Sequence, residues 1–323
     1  MPTDSKTNQT AQIDIEAVSK RLLKAVADID LDAGKMEGAF NLRRDGDSVE
    51  RFSTKNIEIR ARADGKPGID VVVKPGTQGE SVHIPVILTE SGMNEMVYND
   101  FIIGDGADVT IIAGCAIHNC GHDRSEHDGV HTFMIGKGAK VRYSEKHYGE
   151  GEGTGERVLN PTTNVHMAED SFIEMELTQI EGVSSTIRDT VAHLGRGARL
   201  SVVEKLLTHD SQTAVSNIDI HLDGEDSSAR IISRSVAKDH SKQEFRPVAI
   251  GNAGCRAHIQ CDSIIMDHAS VRSIPAIEAN HADAQIVHEA AIGRINNDQL
   301  IKLETLGLTE EDAEQVIINA FLE

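Results

Sequence analysis

One phrase recurs along this chain and limits what it can fold into. A turn residue, a small residue and a polar residue introduce a run in which apolar and polar side chains alternate. Gly106-Ala107-Asp108-Val109-Thr110-Ile111 returns as Gly138-Ala139-Lys140-Val141-Arg142-Tyr143, and again as Gly197-Ala198-Arg199-Leu200-Ser201-Val202. Weaker echoes start at Glu169-Asp170-Ser171, Glu225-Asp226-Ser227, Asn252-Ala253-Gly254 and His281-Ala282-Asp283-Ala284. The starts lie about 30 residues apart, a period at which each unit buries its apolar face on the next. The units read as strands, so the period predicts a mainly β chain stacked as a β-solenoid. An antiparallel β-sandwich competes, since it also yields many short strands with turn signals.

The interior of such a stack is thin, and the composition suits it. Only 3% of the 323 residues are aromatic and Trp is absent, so the core must be built from Val, Ile, Leu and Ala. A formal charge of −20 repels phosphate backbones and anionic lipid, which argues against nucleic acid and membrane partners. No run approaches the roughly 18 apolar residues of a membrane span. Met1-Pro2-Thr3-Asp4 opens without an apolar signal core, and the expectation is a cytoplasmic protein. Four cysteines are too few for a disulfide framework; each is a free thiol, available as a ligand or inert in the core.

Three segments follow from the periodicities. Residues 1–48 hold a polar, disordered start (1–9) and an amphipathic helix with Ile15, Val18, Leu22, Ala25 and Val26 on one face, ended by the acidic, Gly-containing stretch from Asp28 to Gly38. Residues 49–290 form the β core. Ile57 to Arg62 alternates cleanly, while Val71-Val72-Val73 and Val82 to Leu88 read as more buried strands. Residues 291–323 turn helical. Asn297-Asp298 caps a helix carrying Leu300, Ile301 and Leu303, and Gly307 ends it. Thr309 opens a second helix with Glu310, Glu311 and Asp312 in its first turn, where the helix dipole favours them. Its apolar stripe is Ala313, Val316, Ile317, Ala320 and Phe321, a face that docks on the chain's own core or on a partner.

Two places carry candidate metal chemistry. Cys115, His118, Cys120, His122, His127 and His131 put six potential ligands in 17 residues, although the spacing matches no zinc finger and strand alternation splits them between two faces. This cluster supports one reading of the chain, a His/Cys-rich β-helix or cupin-like metalloenzyme. The text after it, from Glu145 to Glu156, is Gly-rich but lacks the Gly-Lys-Ser/Thr of a phosphate loop. It reads as a flexible loop, so any ATP chemistry belongs to a partner. The second place is Cys261, followed 27 positions later by His288-Glu289. Thiolate, imidazole and carboxylate are the side chains that most often bind iron. Adjacent strand residues face opposite ways, so His288 and Glu289 can both ligate one metal centre only near a strand end or across an interface. Cys255 lies six positions before Cys261 on the same strand face, roughly 20 Å away.

From about Cys115 to the C-terminus the wording resembles the core domain of the SufB/SufD scaffold proteins of iron–sulfur cluster assembly. The strings that carry it are Gln260-Cys261-Asp262-Ser263, Pro275-Ala276-Ile277-Glu278, Asn280, His288-Glu289-Ala290, Ile295, Asp298-Gln299-Leu300 and Gly307-Leu308. A second set runs from His127-Asp128-Gly129-Val130-His131-Thr132-Phe133 to Glu145-Lys146-His147-Tyr148-Gly149-Glu150-Gly151. The text is similar to the short, single-scaffold forms of archaea and anaerobic bacteria. The resemblance implies a right-handed parallel β-helix whose helical C-terminal region binds a SufC-like ABC ATPase. It also implies a non-enzymatic role: a transient cluster of the 4Fe-4S type is built on the scaffold and handed to acceptor proteins. By the same resemblance Cys261 and Glu289, with His288 beside them, are cofactor- and metal-binding residues at an interface between scaffold subunits. Cys255, Cys115 and Cys120 are further candidates. Larger relatives carry a cysteine in the phrase that aligns with Glu145-Lys146-His147, where this chain has none, and they also have a longer N-terminal extension. The short form implies a homodimer.

Overall fold

The computed structural model describes residues 15–27 and 38–323. The expected disordered start at residues 1–9 and the end of the first helix fall outside them. Strands make up 58% of the chain and wind into a β-solenoid of about eight turns. The chain alternates between a ten-stranded sheet, bounded by Asp47–Phe52 and Gln285–Gly293, and an eleven-stranded sheet bounded by Ile57–Ala61 and Ser270–Ser273. Pairing is parallel throughout, except for two antiparallel pairs at the N-terminal end, Ala39–Arg44 with Asp47–Phe52 and Ile57–Ala61 with Gly68–Val73. This is the stacked architecture that the repeat predicts, and neither a sandwich nor a cupin barrel.

The recurring phrase is the corner between the sheets. Gly106, Gly138 and Gly197 all have φ of 65°, and the echoes Asp170 and Asp226 adopt 57° and 58°. Gly enters this left-handed region freely, and Asp is among the few side chains that tolerate it. The next residue points inward where the chain turns, and only a small side chain fits. Ala107, Ala139, Ser171, Ala198, Ser227 and Cys255 fill that column, each no more than 2% exposed. Cys255 is therefore a corner residue. Beyond the corner the inward side chains of alternate strand positions are mostly apolar and form one continuous core, from Ala39 to Cys261.

Helix α1 (Ile15–Ala27) lies across the first rungs. Val18, Leu22 and Val26 are buried as expected, packed with Phe40, Ile87 and Ala116. Ala25 is not: it is exposed, and Leu23 and Ala27 are buried instead. The helix meets a flat sheet, so two adjacent i, i+4 rows touch it and Ala25 faces away. Gly114 permits the approach, since a Cβ there would stand 2.3 Å from the Val26 carbonyl oxygen.

At the other end, α2 (Asn297–Glu304) and α3 (Glu310–Leu322) form the helical tail. The cap of α2 is Asn296, one residue ahead of the expected pair, whose side chain accepts from Asp298 N at 2.9 Å. Thr309 caps α3 as predicted, its Oγ1 accepting from Asp312 N at 3.1 Å. The buried stripe of α3 is Ala313, Ile318 and Leu322, while Val316 and Ala320 are exposed. Ile318 and Leu322 pack with Phe321 and Ile295 against Val236, Ile264 and Met266. The helix is rotated from its sequence stripe because the solenoid surface it lands on decides which row is covered. Ile301, Leu306 and Val316 remain 46–77% exposed. No described helix is long and apolar enough to cross a membrane.

Candidate functional site

The C-terminal end of the solenoid is uncovered. Gln285–Gly293 is the last strand of its sheet, and Ser270–Ser273 and Ala276–Ala279 close the other. Val287, Ile292, Ile274 and Ile277 are each 42–49% exposed there. Cys261 sits one rung inside, on Arg256–Ile265, between Ser233 on the preceding rung and Ala290 on the last. Its side chain joins the core and is 1% exposed. His288 pairs with the buried Ile259 and shares its inward face, about 8 Å from Cys261 between Cα atoms by strand geometry. Glu289 takes the opposite face, mostly exposed, with Oε2 3.5 Å from His258 Nε2. One chain therefore places Cys261 and His288 inside and Glu289 outside, as strand alternation requires.

Burial dominates the electrostatics of this end. Burial pushes the Cys261 thiol up, and the hydroxyls of Ser273 and Ser263 only partly offset it. Burial also draws His288 down, which keeps the imidazole neutral with a free lone pair. His288 Nε2 is buried without a hydrogen-bond partner, a costly state for a polar atom that a ligand would relieve. Cys255, at its corner, is likewise pushed up by burial.

Deeper in the stack lies a polar line that the sequence reading missed. The stretch Glu145–Glu156, read as a loop, begins as strand: Lys140–Glu150 belongs to the ten-stranded sheet, with Glu145 and His147 buried. Cys115 pairs in register with His147, and its thiol hydrogen-bonds both His147 and His127. His127 Nδ1 stands 3.0 Å from Glu95 Oε1, and Glu95 Oε2 accepts from Arg43 Nε at 2.9 Å. His147 Nε2 is 3.6 Å from Glu145 Oε1, and Glu145 in turn is bonded to Arg188. Arg188 Nε lies 3.6 Å from Glu204 Oε1, and Glu204 Oε2 accepts from Ser233 Oγ at 3.0 Å. Ser233 is the register neighbour of Cys261. The line thus crosses the interior from Glu95 to the thiol at the open end.

Mutual charge sets the protonation states here. Burial alone would raise the Cys115 thiol, but His127 and His147 beside it bring it down to about 7. Against its own burial, His127 is lifted to about 10 by Cys115 and Glu95. Arg188 and His147 hold Glu145 well below the carboxylate range despite its burial. His131 is the exception: burial takes it to about 4, and its Nδ1 lies 2.7 Å from the Tyr143 hydroxyl.

The six-ligand cluster is dispersed. Cys115, His127 and His131 go inside, whereas His118 Nδ1 lies 3.0 Å from Glu150 Oε1. Cys120 is exposed with its sulfur 3.1 Å from His118 Nε2, and His122 faces Thr154 at 2.8 Å. Among the described residues, the groups of three His, Cys, Asp or Glu whose ligand atoms fall within 4.8 Å of one another are His193/His221/Asp223 and His209/Asp210/Asp239. Neither draws on residues 115–131. A signal for the interior line did exist. Glu145, Glu204, Ser233 and Cys261 each lie seven residues after a corner residue (Gly138, Gly197, Asp226 and Gly254).

Comparison with known proteins sets this geometry in context. The family model described as "SUF system FeS cluster assembly, SufBD core domain" matches residues 87–321. An iron–sulfur cluster assembly SufBD family protein of Methanocaldococcus jannaschii is 26% identical over 264 residues, 80% of this chain and 82% of the relative. One from Pyrococcus horikoshii is 26% identical over 73% of this chain and 71% of its own length. One from Methanothermobacter thermautotrophicus strain Delta H is 27% identical over 71% of this chain, which spans only 55% of that relative.

Proposed function

The chain belongs to the SufBD family of SUF-system iron–sulfur cluster assembly proteins, and from that premise we propose that it is the scaffold on which a nascent cluster, its cargo, is built and released. Two copies meet through the uncovered ends of their solenoids. Cys261 and His288 of one face, with Glu289 contributed across the interface, supply thiolate, imidazole and carboxylate to iron. A carboxylate is a harder, weaker ligand for cluster iron than a thiolate, so the mixed set suits a cluster that must leave. The cluster is of the 4Fe-4S class and passes to acceptor proteins. The scaffold itself performs no catalysis and works in the cytoplasm.

The observation that carries this reading is the state of the open end: a last strand whose outer edge pairs with no described strand, exposed apolar side chains and an orphaned buried His288 Nε2 one rung above Cys261. An unprotected strand edge is what natural sheets normally avoid unless something pairs with it. The buried, neutral Cys261 must be uncovered before it can ligate, because metal binding deprotonates a thiol. A SufC-like ABC ATPase docked on the tail around residues 291–323 would drive that exposure, and the exposed Ile301, Leu306 and Val316 are the apolar surface it would use.

Anaerobic reconstitution with ferrous iron and sulfide tests the proposal, read by absorbance and Mössbauer spectroscopy on wild type and on Cys261→Ala. Wild type should assemble a cluster, and Cys261→Ala should lose most of it. Equal cluster content in the two proteins would reject Cys261 as a ligand and with it this site.

A further inference from the structure

A second candidate ligand set lies on the outer surface, away from Cys115 and Cys261. His166, His193 and His221 occupy one column of the eleven-stranded sheet on successive rungs, each the register partner of the next. The rings of His193 and His221 stack 4.4 Å apart at 17°, and those of His166 and His193 lie 5.7 Å apart at 6°. Asp223, two residues beyond His221, folds back to them. Its Oδ2 stands 3.1 Å from His193 Nδ1, while its Oδ1 accepts from Asn252 Nδ2 at 2.7 Å. One ligand atom from each of His193, His221 and Asp223 falls within 4.8 Å of the others. With Met134, His166 and Gly195, two of them, His193 and Asp223, line an open groove of about 570 Å³.

Two imidazoles and one carboxylate on a rigid support are a donor set that first-row divalent cations take, with coordination positions left open. Ligand atoms about 2.1 Å from a common ion stand roughly 3–4 Å apart, so small rotamer changes in half-exposed side chains close the site. Asn252 holds one carboxylate oxygen and leaves the other turned toward His193, which is how outer hydrogen bonds orient a metal ligand. The alternative triad has one imidazole, and both ring nitrogens of that His209 already have partners, Asp210 Oδ2 at 2.7 Å and Gln212 Nε2 at 3.2 Å. A chain of charge −20 also concentrates cations at its surface.

We propose that His193, His221 and Asp223 form a surface site for a first-row divalent transition metal ion of the Fe²⁺ or Zn²⁺ kind, independent of the Cys261 end. The ion replaces the His193–Asp223 hydrogen bond with two metal–ligand bonds and binds a third donor from His221. The site stands whether or not the chain builds clusters.

Titration of the full chain with Co²⁺ under anaerobic conditions tests this by the visible d–d bands and by metal content after desalting. About one equivalent should bind with an oxygen/nitrogen-type spectrum. Binding should be unchanged in His209→Ala, and weaker by about ten-fold or more in His193→Ala, His221→Ala and Asp223→Asn. Asp223→Asn retains a side chain that can bond His193 and Asn252, and circular dichroism on each variant verifies the fold. The proposal is overturned if wild type binds no cobalt, if all the bound cobalt shows sulfur charge transfer, or if the three variants bind as wild type does.

Discussion

Cys115 and Cys261 both point into the same solenoid from the same sheet, yet they live in opposite electrostatic worlds. Cys115, in mid-stack, has imidazoles on the facing and following strands, and His127 and His147 draw its thiol down to about 7. Cys261, one rung from the open end, has the hydroxyls of Ser273 and Ser263 beside it, while burial, with the carboxylates of Asp262 and Glu204, pushes its thiol up. The middle of the stack is a closed network in which His127, Glu145, Arg188 and Glu204 each have partners. The end carries an orphaned His288 nitrogen and uncovered apolar side chains. A satisfied buried network holds one structure, whereas the end leaves a polar atom without a partner. The contrast separates what holds the solenoid together from what its open end exposes.

The largest expected effect tests the closed network. Arg188→Met leaves Glu145 and Glu204 buried without their shared cation, and should cost about 3–5 kcal/mol in urea denaturation. Glu289→Gln at the open end should stay within about 0.5 kcal/mol of wild type. Equal losses for the two would erase the distinction.

An intermediate effect concerns ionisation. In a chain whose only thiol is Cys115, thiolate absorbance at 240 nm should rise with a midpoint near 7, and His127→Gln should move it upward. In a chain retaining only Cys261 the midpoint should lie above the ordinary 9.0. The stability linkage follows by sign. The lowered Cys115 contributes stability that is complete above 9.0 and lost as pH falls through about 7. The raised His127 contributes stability that is complete below 6.5 and lost as pH rises through about 10. Between pH 7 and 9 the two slopes oppose each other, so this pair should leave stability nearly level there. A higher midpoint for Cys115 than for Cys261 would reverse the comparison.

The smallest effect sharpens it. Cys255 occupies the corner column that Ala107, Ala139 and Ala198 fill elsewhere. Cys255→Ala should therefore change stability by less than about 1 kcal/mol and leave reconstituted cluster content as in wild type. A clear loss of cluster would make Cys255 more than a corner residue.

Much of this was legible residue by residue. The left-handed corners, the strand alternation, the helical tail and the Thr309 cap are local properties, each set by a few neighbouring side chains. So were the strings around Cys261 and His288-Glu289, and the opposite facing of those last two residues. The interior line was harder to see, because Glu145 was read within a Gly-rich run and Arg188 and Glu204 in no motif at all. Only counting from each corner residue brings Glu145, Glu204, Ser233 and Cys261 into one column.

By itself the sequence determined the repeating architecture and the inward or outward sense of each strand residue, because dihedral preference and period-two alternation act over a few residues. The tertiary structure decided which inward residues touch. Cys115 meets His147 because parallel registry sets side by side residues 32 apart in sequence, and Asp223 reaches His193 across a rung in the same way. It also rotated the buried stripe of the last helix and scattered the six-ligand cluster. Lateral neighbours in a solenoid depend on the exact length of every intervening turn, a sum over many local choices that no single stretch of sequence records.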